Sequence, residues 1–542
     1  MASAKTPAMA NSTARAMTPA EAPAEALPEP LVIAGAVGHA MDPARSPVVT
    51  PAMNSATAAP AATARTRLPA LLSYGALALP LAFAALPLYV QWPAHAASAW
   101  GMPLATLGAL LLAVRVGDAF IDPWVGGRID ALFARSARWA WLVAGAACMC
   151  IAAGLVALMF APAVVRADAT ALLAWAAAAL VLTSLGYSVA TVTHQAWAVR
   201  LGGGAVEQAR WVGAREALAL AGVILASVLP TLVGWGATLA ALAVLLLAGW
   251  FLLARVRPPH AAVPPPGVIT PISPGDRVST RSHRAHVLEA GSPWRDRGFR
   301  RLMPVGLLGG LASAMPASLV VLFVRDVLQA GAAAEGWLLG LYFASAAGAM
   351  PLWVRAVGRF GLVRSWLAGM GIAIVAFAGA ALMGPGDLAL FALICAASGL
   401  ALGADLIVPP ALLAGLIQRH PGAETSATSA AGGGNATRAA VAPGIEGRWF
   451  GWWNFATKLT LAGAAGLGLP LVQWLGYSPG ARDAGSLWAL AFCYATLPCC
   501  IKAAAALLLW SQRNAWPWAM PPSAAPADAS EARITTTEER HR

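Results

Sequence analysis

The sequence is short of charged residues, and of lysine in particular. Only 11% of its 542 residues are charged and 59% are hydrophobic, whereas soluble domains carry roughly 25% charged residues. The helices of a soluble protein need polar faces toward water, so this composition excludes an ordinary soluble protein. Three lysines occur in the whole chain, at positions 5, 458 and 502.

Cysteine is also scarce, and the patterns of metal and nucleophile sites are missing. All six cysteines lie within apolar runs, and none has a partner pair at zinc-type spacing. The chain has no His/Glu spacing typical of metal sites and no nucleophile elbow. We therefore expect no enzymatic activity, no metal and no cofactor, and we interpret the cysteines as small buried hydrophobic residues.

The net charge of +12 does not indicate nucleic acid as a partner. Nearly all of the cations are arginines, and they lie in short clusters between apolar runs instead of forming one basic face. Arginine-rich connections alternate with arginine-poor ones, as the positive-inside rule predicts for a membrane protein. We expect a monomer in a bacterial inner membrane, with both termini cytoplasmic and with the lipid bilayer and a small-molecule substrate as partners.

The sequence does contain twelve apolar runs. A membrane-spanning helix needs about 20 predominantly apolar residues, and each run is close to that length. The runs cover residues 68–92, 103–124, 139–163, 171–197, 212–232, 235–254, 302–324, 335–354, 365–384, 388–417, 450–476 and 487–511.

The order of the runs predicts an all-α integral membrane protein with twelve transmembrane helices in two six-helix halves. This is the layout of the major facilitator superfamily, in which the substrate site lies between the halves. The predicted segments are a disordered tail (1–66), an N-terminal half (67–254), a cytoplasmic loop (255–300), a C-terminal half (301–512) with a flexible insertion (418–447), and a second tail (513–542).

Two carboxylates lie inside the second run. Asp118 and Asp122 are four residues apart, so a helix places both on one face, where their repulsion invites a shared cation or proton. Arg115 could neutralise one of them, and a network that only joins helices is the alternative. Lys458 in the eleventh run is expected to face a carboxylate or a water-filled cavity, with snorkelling to the interface as the alternative.

Other polar residues in the runs are candidates for the site. Asp405 in the tenth run has no evident partner. His194 and Thr191 lie near the end of the fourth run, where hydrogen-bonded packing competes with a proton relay as the role of the histidine. Arg215 begins the fifth run beside Glu216, so an ordinary ion pair is the alternative to a substrate contact.

The connection after the second run resembles a gate motif. Glycines such as Gly126 would let helices approach closely, and the charges of Arg128 and Asp130 would close the cytoplasmic side. We predict these three residues, together with Arg115, as gate residues.

Several of these motifs resemble one family. The block from Asp118 to Gly126 is similar to the second-helix signature of the glycoside–pentoside–hexuronide:cation symporters, the melibiose-permease-like branch of the superfamily. Leu72 to Gly75 resembles the family's opening, and Lys458 followed by Gly476-Tyr477 matches in type and spacing. The resemblance covers about residues 68–511.

The resemblance implies cation- or proton-coupled symport of a sugar or a similar small polar solute. In that family the second-helix carboxylates and the eleventh-helix lysine serve the coupling ion, sodium or a proton, which assigns this role to Asp118, Asp122 and Lys458. Thr191 stands where the family has a fourth-helix acid.

The same resemblance also indicates which residues bind the cargo and what kind of cargo they bind. Tyr74, His194, Arg215 and Asp405 are the predicted substrate-binding residues, and Arg215 falls near an arginine of the family's sugar site. Ala82 replaces the first-helix acid that binds sugar in the melibiose-permease type. A lipid or amphiphile is therefore the alternative cargo, and a non-transporting membrane receptor is a further alternative.

Overall fold

The computed structural model describes residues 68–256, 258, 292–420 and 444–519. The predicted disordered tail (1–66) lies outside these residues, as do most of the predicted central loop and most of the predicted insertion. The part of the predicted second tail beyond residue 519 also lies outside them. The described residues are mainly helical, and they contain no β-strand.

The first apolar run forms an interrupted helix. Its parts are α1 (Leu68–Gly75), α2 (Ala78–Leu86) and α3 (Trp92–Trp100), with a π-helical turn at Pro87–Gln91 between α2 and α3. Proline has no N–H to donate and crowds the preceding turn, which accounts for the change of hydrogen-bonding register at Pro87.

The remaining helices are mostly longer. Those of the first half are α4 (Leu104–Arg135), α5 (Ala137–Met159), the single turn α6 (Ala163–Arg166), α7 (Ala169–Arg200) and α8 (Ala205–Leu253). Those of the second half are α9 (Arg297–Leu322), α10 (Ala332–Ala380), α11 (Leu388–Arg419), α12 (Glu446–Trp474), α13 (Ala484–Ala491) and α14 (Leu497–Ser511). Two further π-helical turns extend α9 and join α13 to α14 (Phe323–Val327 and Phe492–Thr496).

The two longest helices each contain a break at one glycine. Gly234 in α8 has φ 75° and ψ 169°, and Gly361 in α10 has φ 80° and ψ 170°. Residues with a side chain rarely adopt this region, so each glycine allows a turn between two helical segments. Within the described residues, nine helices are long and apolar enough to cross a membrane when α8 and α10 are counted once. The helix α4 is not among these nine. Dividing α8 and α10 at their glycines and counting α4 as well gives twelve segments.

Several helix ends differ from the ends of the predicted runs. The second run was expected to end at residue 124, whereas α4 continues to Arg135. Hydropathy marks only the apolar part of a helix, and this helix continues through Arg128 and Asp130 beyond the apolar stretch. Other ends lie inside the run, since α5 ends at Met159 and its run at residue 163. The predicted all-helical membrane fold is confirmed.

The two halves meet through α4 against α12 and through α8 against α10. Gly447, Gly451, Asn454 and Lys458 all face the first half, and their spacing of three or four residues puts them on one face of α12. Gly451 lies directly against the backbone carbonyl of Asp122, where a Cβ atom would clash. A stripe along α12 therefore forms much of the contact between the halves.

We expect Gly451→Ala to lower the thermal unfolding midpoint, because the added Cβ would lie 2.8 Å from the Cα of Pro123 and overpacking costs about 1–3 kcal/mol. Gly466→Ala on the same helix is the matched control, since among the described residues no atom outside its own stretch of helix lies within 4 Å of its Cβ position. Alanine in a helix is more favourable than glycine by up to ~1 kcal/mol, so the control should not lose stability. Equal midpoints for the two purified variants would contradict the close approach of α4 and α12.

Candidate functional site

Four side chains from both halves form what we call the first charge cluster: Asp118 and Asp122 of α4, Ser188 of α7 and Lys458 of α12. The Lys458 Nζ lies 2.7 Å from Asp118 Oδ2 and 2.8 Å from Asp122 Oδ2, and it donates to Ser188 Oγ at 2.9 Å. Ser188 in turn donates to Asp118 Oδ1 at 2.6 Å. One ammonium group thus connects three helices and both halves of the protein.

The charges of the first charge cluster do not balance. Two carboxylates face one ammonium group, which leaves a net charge of −1 when all three are ionised. Asp122 is 0% exposed and Asp118 is 6% exposed. The Oδ1 atom of Asp122 is buried without a hydrogen-bond partner among the described residues. Because a buried charge needs compensation, this oxygen is available to a proton or a cation.

Arg115 and Arg128, two of the predicted gate residues, each contact an aromatic ring of the first half, and their gate role stays a prediction. The guanidinium of Arg115 lies 4.3 Å from the ring centroid of Tyr89, and that of Arg128 lies 4.6 Å from the ring centroid of Trp124. Both are cation–π contacts within the first half. Lys458 pairs with both α4 carboxylates, which is the arrangement that the sequence analysis expected for this lysine.

The contact of α7 with the first charge cluster comes from Ser188, which the sequence analysis did not single out. Ser188 lies one turn before Thr191 and holds the contact with the cluster, whereas the buried Thr191 hydroxyl has no hydrogen bond within the described residues. Gln195 exchanges two amide hydrogen bonds with Asn454 of α12, at 3.1 and 2.9 Å. In the sequence, Ser188, Thr191 and Gln195 can each be recognised as a polar side chain within an apolar run. The coupling role of Thr191 stays a prediction.

Three of the predicted substrate-binding residues come together in the first half. The Tyr74 hydroxyl donates to the carbonyl of His194 at 3.1 Å, and the His194 Nε2 lies 2.9 Å from the carbonyl of Tyr74. Arg215 pairs with the neighbouring Glu216, which is the alternative that the sequence left open. These contacts join α1 to α7 through buried side chains, and the histidine makes the hydrogen bond expected of a packing role. Substrate contacts by the three residues stay a prediction.

Asp405, the fourth predicted substrate-binding residue, lies in the other half. Together with Ser313 of α9, Trp366 of α10 and Lys502 of α14 it forms the second charge cluster. Lys502 forms a close ion pair with Asp405 and donates to Ser313 Oγ at 2.8 Å, while Trp366 Nε1 donates to Asp405 Oδ1 at 2.9 Å. Lys502 is the partner that the sequence analysis did not find, although a lysine inside an apolar run is the same signal that identified Lys458.

A cavity of about 410 Å³ lies above the second charge cluster. Ser313, Asp405 and Lys502 line one end of it, and Leu86 and Val90 of the first half line it as well. Most of its other lining residues are apolar or aromatic. The cavity has the size of a small-molecule site, for which 300–1,000 Å³ is typical.

Two predicted gate residues contact the other half. Asp130 accepts hydrogen bonds from the backbone N–H of Gly447 and of the next residue, at 2.7 and 2.9 Å. The first N–H groups of a helix have no partner within the helix, so Asp130 caps α12 from the opposite half. Arg200 adds an ion pair with Glu446 at 2.6 Å, and Gly126 lies directly against the carbonyl of Gly447.

Tyr477, part of the motif that resembles the symporter family, takes part in a separate network. Its hydroxyl donates to the buried Asp326, which also accepts from the backbone N–H of Gly480 at 3.0 Å and pairs with Arg325 at 3.1 Å. Burial and the hydrogen bond to Asp326 raise the pKa of Tyr477. The phenol therefore stays a neutral donor, and the network joins the end of α9 to the connection between α12 and α13.

Two helical halves that meet through a charged contact define a polytopic membrane protein of the transporter class. A family model described as MFS/sugar transport protein matches residues 71–512, so the chain belongs to that family. It is a multi-pass membrane transporter of the major facilitator superfamily, and no catalytic function is indicated. A search of curated proteins finds no match to the chain.

Solved structures of other transporters share the fold. A bacterial homologue of the iron transporter ferroportin, in an outward-facing state, is 16% identical with a TM-score of 0.56, and the match covers 83% of this chain and 100% of that one. The proton:xylose symporter XylE is 16% identical with a TM-score of 0.51, covering 81% and 94%. The transporter FucP is 13% identical with a TM-score of 0.53, covering 82% and 98%. Identities this low show the fold alone.

We expect Lys458→Met to destabilise the protein, because Asp118 and Asp122 would lose their shared counter-charge, and breaking a buried ion pair typically costs ~3–5 kcal/mol. Adding Asp122→Asn to this variant removes one of the two negative charges and should recover part of the loss. Thermal unfolding of the purified proteins at neutral pH measures both effects. A double variant that is no more stable than Lys458→Met would contradict the charge balance described above.

Proposed function

We propose that this transporter is a proton- or cation-coupled symporter of a sugar or a similar small polar solute, and that it works by alternating access. The first charge cluster is the observation that carries the proposal. It holds an excess negative charge at the contact between the halves, and Asp122 Oδ1 has no hydrogen-bond partner among the described residues. Ionisable groups inside the membrane are costly and are typical of ion and proton pathways.

Protonation of the first charge cluster can weaken the contact between the halves. Lys458 belongs to the second half, and the carboxylates that attract it belong to the first. A proton on Asp122 removes one of these two attractions and so favours separation of the halves at this end. A cargo that binds better to the separated state shifts the same equilibrium, which couples cargo to proton.

A proton fits the first charge cluster better than sodium does. Hard metal cations are bound by several oxygen ligands at once. In this cluster Asp118 accepts from Ser188, and both carboxylates contact the ammonium of Lys458. Neither oxygen of Asp122 has a hydrogen bond among the described residues, but Oδ2 contacts the ammonium of Lys458. Oδ1 is the oxygen that is left, and a single oxygen suits a proton.

A sugar is the favoured cargo because the family is described as sugar transport. The meeting of Asp118, Asp122 and Lys458 supports membership of the melibiose-permease-like branch. Ala82 in α2 argues against recognition of the melibiose type, because it offers no carboxylate to a sugar. We infer a symporter of that branch with a different cargo.

We also propose a monomer in a bacterial inner membrane with both termini cytoplasmic. The arginine clusters of the sequence support this orientation through the positive-inside rule. Asp130, Arg200 and Glu446 would then close the cytoplasmic side.

An amphiphile is the second candidate cargo, and one observation favours it. The cavity above the second charge cluster has mainly apolar walls, whereas a sugar needs polar partners for its hydroxyl groups. Uptake of a labelled lysolipid into protein-containing vesicles, with no uptake of sugars, would favour this candidate over the first.

Gradient-driven uptake into proteoliposomes tests the coupling assignment. The probes are labelled xylose and labelled melibiose, supplied with an inward proton gradient and, separately, with a sodium gradient. Coupling energies of about 1–3 kcal/mol correspond to 5–150-fold effects, so we expect Asp122→Asn to lower accumulation at least about fivefold while sugar exchange at equal pH persists.

The matched control is Asp168→Asn. Asp168 caps the start of α7, where asparagine is an equally good N-cap, so this variant should accumulate sugar normally. Full proton-driven accumulation by Asp122→Asn would refute the coupling role of the first charge cluster. Transport of neither sugar by the native protein would refute the cargo assignment for these two sugars.

A further inference from the structure

We propose that the cavity above the second charge cluster binds a small amphipathic monocarboxylate. Its carboxylate would bind Lys502, its apolar body would lie between the cavity walls, and each anion would bind together with one proton on Asp405. None of these residues belongs to the first charge cluster, so the site is independent of the coupling function proposed above.

The lining of the cavity follows α9 and its π-helical extension. Ser313 belongs to the second charge cluster, and the apolar Pro316, Val320 and Val324 follow it at steps of three or four residues. At 1.5 Å per residue, the rise from Ser313 to Val324 is roughly 16 Å. Such a site fits a ligand with one polar end.

Aromatic residues contribute much of the wall. Tyr342 and Phe343 come from α10, Phe377 comes from its second segment, and Tyr494 comes from the π-helical turn before α14. A sugar bound here would place hydroxyl groups against apolar and aromatic side chains, and each hydroxyl left without a hydrogen-bond partner would weaken its binding. An aryl or alkyl body buries favourably against the same surface.

The hydrogen bonds of the second charge cluster favour an anion over a cation. Asp405 already accepts from Trp366 on one oxygen, and from Ser313 and Lys502 on the other. An ammonium group has three N–H donors, and Lys502 directs two of them to Ser313 and Asp405. The third donor of Lys502 can bind the carboxylate of a ligand, whereas Asp405 keeps one of its roughly four acceptor positions, on Oδ1, where a proton can bind.

Charge balance links the anion to a proton. Lys502 and Asp405 together carry no net charge, and their side chains are 5% and 18% exposed. A bound carboxylate would leave one uncompensated negative charge between apolar walls, which is costly. Uptake of one proton by Asp405 restores neutrality and leaves Lys502 paired with the ligand.

Other titratable side chains also line the cavity. They come from α10, α11 and the segment around α14, and those that line it are Glu335, Tyr342, Cys395, Tyr494 and Cys499. α9 contributes no titratable residue to the lining, and the first half contributes only Leu86 and Val90. Glu335 is the other carboxylate of the lining, so it needs its own variant in the test.

Calorimetry on the full chain in lipid nanodiscs tests the site, with empty nanodiscs as the blank. The probe is phenylpropionate, and phenylpropanol and phenylpropylamine are its neutral and cationic counterparts. We expect only the carboxylate to bind. Repeating the measurement in buffers of different ionisation enthalpy gives the number of protons taken up per ligand. If this number is one, the dissociation constant should rise about tenfold for each pH unit over the range in which Asp405 is ionised in the free protein.

Variants separate the roles of the residues. Lys502→Met should abolish binding, and Asp405→Asn should bind phenylpropionate without proton uptake and independently of pH. Glu335→Gln should retain both binding and proton uptake. Because Lys502→Met could also impair folding, Ala317→Phe provides a second route: it narrows the cavity at a lining residue that does not belong to the charge cluster.

Three outcomes would overturn the proposal: equal binding of phenylpropanol, unchanged binding by Lys502→Met or Ala317→Phe, or proton uptake that persists in Asp405→Asn. Proton uptake that disappears in Glu335→Gln would assign the proton to Glu335 and would equally overturn it. Asp168→Asn, at the cap of α7, should leave the binding of phenylpropionate unchanged. This test measures equilibrium binding, whereas the coupling test measures sugar accumulation, so a failure here and a failure of the coupling function can be told apart.

Discussion

A charge buried among transmembrane helices must find a partner, and this constraint organises both halves of the protein. Lys458 and Lys502 each lie at a meeting point of several helices, and each pairs with aspartate and donates to a serine. The low dielectric of the interior makes an unpaired charge far more costly than it is in water. The two charge clusters therefore help to determine which helices pack against each other.

The two clusters differ in what they connect. Lys458 reaches across the contact between the halves, so its surroundings change when the halves separate. Lys502 pairs within the second half, so its surroundings can stay intact during the same motion. A coupling role suits the first cluster, because only a contact that differs between the two conformations of the transporter can link protonation to the change between them. A binding role suits the second, which lies at the floor of a cavity.

Much of the fold could be predicted from the sequence, because each membrane-spanning run is a local property of about 20 residues. The carboxylate pair at Asp118 and Asp122 was predictable for the same reason, since four residues along a helix restore one face. A connection between the runs 335–354 and 365–384 was also predicted, whereas its form as a break at the single residue Gly361 was not, because glycine adopts both signs of φ and its conformation depends on the surrounding packing. The sequence left the role of His194 open between packing and a proton relay, and the structure shows that the histidine contacts the backbone carbonyl of Tyr74 in α1.

The sequence by itself determined the membrane class, the two-half layout and the candidates for buried charge. Only the tertiary structure decided the partners: Ser188 and Lys458 are 270 residues apart, and Lys502 and Asp405 are 97 residues apart. Composition and periodicity act over a few helical turns, so they identify a residue that needs a partner without saying where that partner lies. The packing of helices from distant parts of the chain supplies that information, because it brings their polar faces to the same depth in the membrane.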